Sequence, residues 1–295
     1  MKHAIIGANI IDRLVKCPGS LKVGNGSLAD HDAKQAKKRT YTQNRIECNE
    51  ATSFGMVVDD LAKNYIYYAR TGNNRHMSNA KPEHECDPKY FVPADKYAKH
   101  ILKVARRFDA IFLDAKYDMS EYMYDLPDCE FRVMFNPDVA IMNADRSGIA
   151  FISDLSTARC YDRNKMFQVL CCAIGMVKYF PKVTHVICEV YNSTTEEVQY
   201  TRFSREELEA YRDDVLVPAL QKVRDALEDS STNIEQYRHY CSWCNHFCVL
   251  ADEGCQACKC KENPVENDIP INVHFFIDLM NDTDKEAYNN LFTLN

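Results

Sequence analysis

The stretch Asn136-Pro137-Asp138-Val139-Ala140-Ile141-Met142-Asn143-Ala144-Asp145-Arg146-Ser147-Gly148-Ile149-Ala150-Phe151-Ile152-Ser153-Asp154-Leu155-Ser156 holds two apolar runs separated by turn residues. Asn, Asp, Ser and Gly between β-branched and apolar residues are the chemistry of a hairpin turn. With the turn centred on Arg146, Met142 faces Ala150, Ala140 faces Ile152 and Asp138 faces Asp154. Directly opposed residues on one face hold their Cβ atoms about 4.5–5.5 Å apart. Two carboxylates that close repel unless a proton or a cation lies between them. A divalent ion such as Mg²⁺ or Mn²⁺ is one solution; two aspartates at the solvated end of an edge hairpin are the plainer one.

Outward from the hairpin the pattern alternates between helix and strand. Upstream, Phe131 to Phe135 reads as a strand that makes a three-stranded meander with the hairpin. Further upstream, a short helix starts after Asn9 and ends at Cys17-Pro18-Gly19, with Ile10, Leu14 and Val15 on its apolar side. Phe54 to Arg70 has a helical stripe of Val57, Val58, Leu61, Tyr65 and Tyr68, Asn73 to Pro88 a polar loop, and Pro93 to Leu113 a second amphipathic pattern. Downstream come a helix from Arg163 to Tyr179 and strands from Thr184 to Tyr191 and Val198 to Phe203. Ser204-Arg205-Glu206-Glu207 is a capping box that opens a long helix running towards Leu227. The expected class is α/β (α+β), a mixed sheet flanked by helices.

Composition narrows the functions. A chain of 295 residues with a net charge of −7 does not coat nucleic acid by bulk electrostatics, although a local basic groove remains compatible with that balance. No apolar run reaches the length of a membrane span, and the first residues do not read as an export signal, so a cytoplasmic, intracellular protein with no membrane partner is expected. Lys34, Lys37, Lys38 and Arg39 lie in a polar, basic stretch that is either a solvated charge run or an arm contacting DNA. Of the fourteen cysteines, Cys241, Cys244, Cys248, Cys255, Cys258 and Cys260 crowd together, whereas Cys48, Cys86, Cys129, Cys160, Cys171, Cys172 and Cys188 are scattered and suit a core. Without an export signal the crowded ones read as metal ligands. Cys241-x₂-Cys244 followed by Cys255-x₂-Cys258 has the spacing of a zinc ribbon.

Taken in order, several short motifs resemble the RecB-like branch of the PD-(D/E)XK nucleases, which includes CRISPR-associated and phage exonucleases. Cys17-Pro18-Gly19-Ser20 fits the family's first helix end, and Gly55 to Asp60 fits its Gly-x-x-x-His frame with Asp59 in place of the histidine. Asn136-Pro137-Asp138 matches the first metal-binding motif. Asp154-Leu155-Ser156 stands where the family has Asp-x-Lys, and Gln168 keeps the glutamine of the next helix while its tyrosine is lost.

The resemblance implies a restriction-endonuclease-like core over 1–240, with N-terminal helices over 9–114 and the catalytic sheet over 129–228. A cysteine-rich metal module follows over 241–260, closed by Cys17, and then a tail over 261–295. It implies Mg²⁺ or Mn²⁺ held by Asp59, Asp138 and Asp154, with Gln168 positioning substrate or water and Lys165 standing in for the lost lysine. It also implies a [4Fe–4S] cluster on Cys17, Cys241, Cys244 and either Cys248 or Cys255, in competition with zinc on Cys241, Cys244, Cys255 and Cys258. The expected activity is a DNA exonuclease of recombination or replication, with DNA and a protein of those processes as partners. The alternative is an inactive relative that binds DNA or protein and modulates a nuclease.

Overall fold

The computed structural model describes residues 4–8, 11, 14, 53–123, 131–157 and 163–228. In chain order it contains β1 (Ala4–Gly7), α1 (53–71), α2 (Pro82–Cys86), α3 (Pro88–Val104), β2 (Ala110–Leu113), β3 (Tyr117–Asp118), β4 (Phe131–Phe135) and β5 (Val139–Met142). These are followed by β6 (Gly148–Ser156), α4 (Arg163–Tyr179), β7 (Val183–Asn192), β8 (Val198–Ser204), α5 (Arg205–Tyr211) and α6 (Val217–Glu228). The strands form a five-stranded sheet in the order β2-β5-β6-β7-β8 and a three-stranded sheet in the order β1-β4-β3.

The hairpin has the register read from its turn: Ala140 pairs with Ile152, flanked by Val139 with Ser153 and Ile141 with Phe151. Arg146 and Gly148 both take positive φ, 56° and 75°, which turns the chain between the two strands. Asp138 falls one residue ahead of β5, and Asp154 lies inside β6. From β6 the chain crosses over through α4 to β7, which runs parallel to it from Gly148↔Val183 to Ser156↔Asn192. β8 then returns antiparallel to β7.

Side chains alternate across each strand, so the large sheet has two apolar faces. Ala140, Met142, Ala150, Ile152, Val186, Cys188 and Val190 pack with α4, α5 and the small sheet. Val139, Ile141, Phe151, Leu155 and Ile187 pack with α1 and α3. The result is a mixed α/β fold with sheets flanked by helices. In α3, Asp87 accepts from the Lys89 amide and Pro88 takes a first-turn position, while Ala94, Tyr97, Ala98, Ile101 and Val104 make the buried stripe. Each large apolar side chain buried this way contributes about 1.5–3 kcal/mol. The Ser204–Glu207 capping box opens α5 with both reciprocal bonds formed. Gly175 lets α4 approach β3 closely; a Cβ there would lie 2.6 Å from the Cβ of Tyr117.

Several expectations are corrected. The second helix ends at Val104, and Ala110–Leu113 is a strand pairing antiparallel with β5. Four apolar residues carry no period long enough to tell helix from strand, and the open edge of β5 decides the matter. Phe131–Phe135 is not part of a meander with the hairpin. It belongs to the small sheet, parallel to β1, after the chain turns at Asn136-Pro137. The polar stretch 73–88 holds the short helix α2. Tyr68 is 56% exposed, the inner stripe of α1 being Val57, Val58, Leu61, Ala62 and Ile66. Cys86 is exposed, whereas Cys171, Cys172 and Cys188 are core residues. The long helix from Arg205 is interrupted by a π turn at Arg212–Leu216. No helix among the described residues is long and apolar enough to cross a membrane.

Candidate metal centre

Asp59 and Lys63 sit one helical turn apart on α1, so their side chains meet. Lys63 is buried, and its ammonium donates to Asp59 Oδ2 at 2.6 Å, Asp114 Oδ1 at 2.6 Å and Asp138 Oδ1 at 2.9 Å. Asp114 follows β2 in the left-handed region at φ 52°, where its amide donates to the Asp138 carbonyl at 3.2 Å. Arg75 pairs with its other carboxylate oxygen. Asp138 accepts from the Leu155 amide through Oδ2 at 2.8 Å, which ties it to β6. β2 ends, β5 begins and β6 ends on the same side of the sheet, so Asp114, Asp138 and Asp154 converge there.

Asp154 is buried and faces α4. Lys165 Nζ donates to its Oδ2 at 2.5 Å and Gln168 Nε2 to its Oδ1 at 3.2 Å. Lys165 and Gln168 lie three residues apart on one helical face, which suits two donors to one carboxylate.

The electrostatics divide the carboxylates. Burial and then the Asp138 charge push Asp59 up to about 8, against the pull of Lys63. The same two causes push Asp154 up to about 7, against Lys165. Burial works on Asp138 as well, but Lys63, Lys165 and the Leu155 amide outweigh it and hold its carboxyl below the usual range. The three surrounding aspartates hold the Lys63 ammonium above the ordinary lysine value despite its burial. Asp138 is the carboxyl held most firmly as an anion, and Asp59 and Asp154 bind their protons more tightly than ordinary carboxyls.

The donor set fits a hard divalent cation. Oxygen atoms of Asp59, Asp114 and Asp138 lie within 4.8 Å of one another. Among the described residues Asp59 Oδ1 is buried without a hydrogen-bond partner, an acceptor that a cation could satisfy.

Of the residues singled out in the sequence, Asp59, Asp138, Asp154, Lys165 and Gln168 come together. Ser156 is buried at the end of β6. Lys63, Asp114 and Arg75 were missed. The Asp59-x₃-Lys63 spacing was a visible signal for the first, whereas Asp114 was hidden by reading the residues before it as helix. Cys17, Cys241, Cys244, Cys248, Cys255 and Cys258, with Lys34, Lys37, Lys38 and Arg39, lie outside the described residues.

A second polar chain crosses the other face of the sheet. Tyr97 Oη donates to Ser153 Oγ at 3.0 Å, Ser153 Oγ donates to Glu189 Oε1 at 2.8 Å, and His100 Nε2 lies 2.8 Å from Glu189 Oε2. It pins α3 to β6 and β7 beside Asp154. Comparison of the chain with protein-family models, curated proteins and solved structures returns no significant match.

Proposed function

We propose that the chain is a Mg²⁺- or Mn²⁺-dependent deoxyribonuclease on a restriction-endonuclease-like core, acting as an exonuclease in recombination or replication. The observation that carries this reading is the meeting of Asp59, Asp138, Asp154, Lys165 and Gln168 at one end of the mixed sheet, from α1, the residue before β5, β6 and α4. Asp59, Asp114 and Asp138 hold the cation, with Asp154 beside them. When bound, such a cation polarises a phosphodiester and lowers the pKa of attacking water. Lys165 supplies the positive charge that Ser156 cannot, and Gln168 fixes the rotamer of Asp154. Leu155 N–H orients the Asp138 carboxylate.

A second reading, a non-cutting subunit that binds DNA or protein, is favoured by Ser156, a buried residue standing where the resemblance calls for the motif lysine. The deciding experiment uses anaerobically purified protein with Mn²⁺ on single- and double-stranded DNA, beside Asp154→Ala. Cleavage that disappears in the variant supports the nuclease. Intact DNA with a folded, metal-loaded protein supports the second reading. Iron and zinc analysis of the same sample assigns the cysteine segment to a cluster or a zinc site.

A further inference from the structure

We propose that Lys63 is an internal competitor for the divalent cation, holding the place between Asp59, Asp114 and Asp138 until a metal displaces it. The inference rests on the metal-centre reading above and concerns how that site is controlled.

An ammonium group has three protons to donate, and Lys63 gives one to each of three aspartates. Its side chain is only 4% exposed, so water does not share the task. Nζ stands 2.6–2.9 Å from one oxygen of each of the three carboxylates that could hold a metal. A Mg²⁺ ion bonds its oxygens at about 2.0–2.1 Å and would draw these carboxylates inward by roughly half an ångström or more. Such an ion would sit where Nζ now sits, and two cations cannot share that point. Metal entry is therefore an exchange of one cation for another, with Lys63 moving away.

Charge decides which ions succeed. A monovalent ion replaces one positive charge with one and gains nothing against three carboxylates. A divalent ion brings one positive charge more than the ammonium it displaces, set against Asp59, Asp114 and Asp138. Lys63 also leaves Asp59 Oδ1 unpartnered and buried, so the lysine fills the site less completely than an ion with more coordination positions. The lysine weakens metal binding, favours divalent ions, and keeps the metal-free site from flying apart.

The test compares Mn²⁺ binding to the full-length wild type, Lys63→Met and Asp138→Asn by titration calorimetry at fixed pH, with circular dichroism to establish folding. Methionine keeps the length and apolar stem of lysine and removes the charge. The expected result is binding at least roughly tenfold tighter in Lys63→Met, because the metal no longer breaks buried ion pairs to enter. Asp138→Asn is expected to lose the binding. Equal or weaker binding by a folded Lys63→Met, while the wild type binds Mn²⁺, overturns the inference and leaves the metal centre standing. No binding by any of the proteins, or undiminished binding by Asp138→Asn, overturns the metal-centre reading together with it.

If Lys63→Met does not fold, the ¹⁵N ammonium signal of Lys63 in the wild type, assigned with Lys63→Arg, reads the same exchange. Mg²⁺ is expected to shift or abolish that signal. A signal unchanged at Mg²⁺ concentrations that saturate the thermal shift overturns the inference.

Discussion

Replacing Asp154 by Asn should make the metal-free protein more stable at alkaline pH. Asp154 is buried, and its folded value of about 7 stands against an ordinary 3.8. Keeping it ionised inside the fold costs roughly 4 kcal/mol relative to the unfolded chain. The sign follows from proton counts. Between pH 3.8 and about 7 the folded protein holds a proton that the unfolded chain has released, so stability falls as pH rises through that window. Asp59 extends the fall to about 8. Asparagine resembles the protonated acid: its amide donates towards Asp138, and its carbonyl still accepts from Gln168. The lost attraction to Lys165 offsets part of the gain, leaving roughly 1–3 kcal/mol at pH 8.5, or a rise of roughly 3–8 °C in Tm. The assay is thermal unfolding in EDTA across pH 5 to 9, wild type beside variant. An Asp154→Asn protein that melts lower than wild type at pH 8.5, or a wild-type Tm that climbs between pH 5 and 8, would refute the reasoning.

Adding Mn²⁺ should reverse the trend in the wild type, its stabilisation growing from pH 6 to 8.5 because the ligands must shed protons to bind; a Tm shift series reads this directly. Gly175→Ala should cost about 1–3 kcal/mol in urea denaturation, since its Cβ would press on the Cβ of Tyr117 at 2.6 Å and neither backbone can yield freely. Ser153→Ala should cost a similar 1–3 kcal/mol by the same measurement, roughly the penalty for depriving the Tyr97 hydroxyl and Glu189 of a buried partner. Ser204→Ala removes the α5 cap and should cost about 1 kcal/mol, without altering Mn²⁺ affinity in a calorimetric titration.

The parts of the fold legible in the sequence are those governed by local chemistry. Turn residues around Arg146 set the hairpin register, and the Ser204 to Glu207 box marks the start of a helix, whatever lies elsewhere in the chain. β1, β3 and β2 escaped for the opposite reason. β1 owes its identity to β4, far along the chain, β3 is two residues long, and Ala110 to Leu113 becomes a strand because β5 offers an edge. The site divides the same way. Asp138 and Asp154 follow from one hairpin, but Asp114 joins them through a strand the sequence does not announce. Asp59-x₃-Lys63 is an ordinary helical ion-pair spacing, and the burial that brings Lys63 into the site cannot be seen along a single helix.

Asp59, Asp114, Asp138 and Asp154 arrive from α1, the chain after β2, the residue before β5 and β6, so their mutual repulsion has a timing. It is felt in full only when all four segments have docked. A chain crossing its folding barrier with α1 still loose meets little of it, and the native state carries the rest. Substitutions that neutralise Asp59 or Asp154, the two whose carboxyls are pushed up, should then act mainly on the rate of unfolding, slowing it at alkaline pH while the refolding arm of the chevron stays nearly still. The acidic centre thus sets how long the metal-free molecule survives between openings, and a bound cation would lengthen that lifetime.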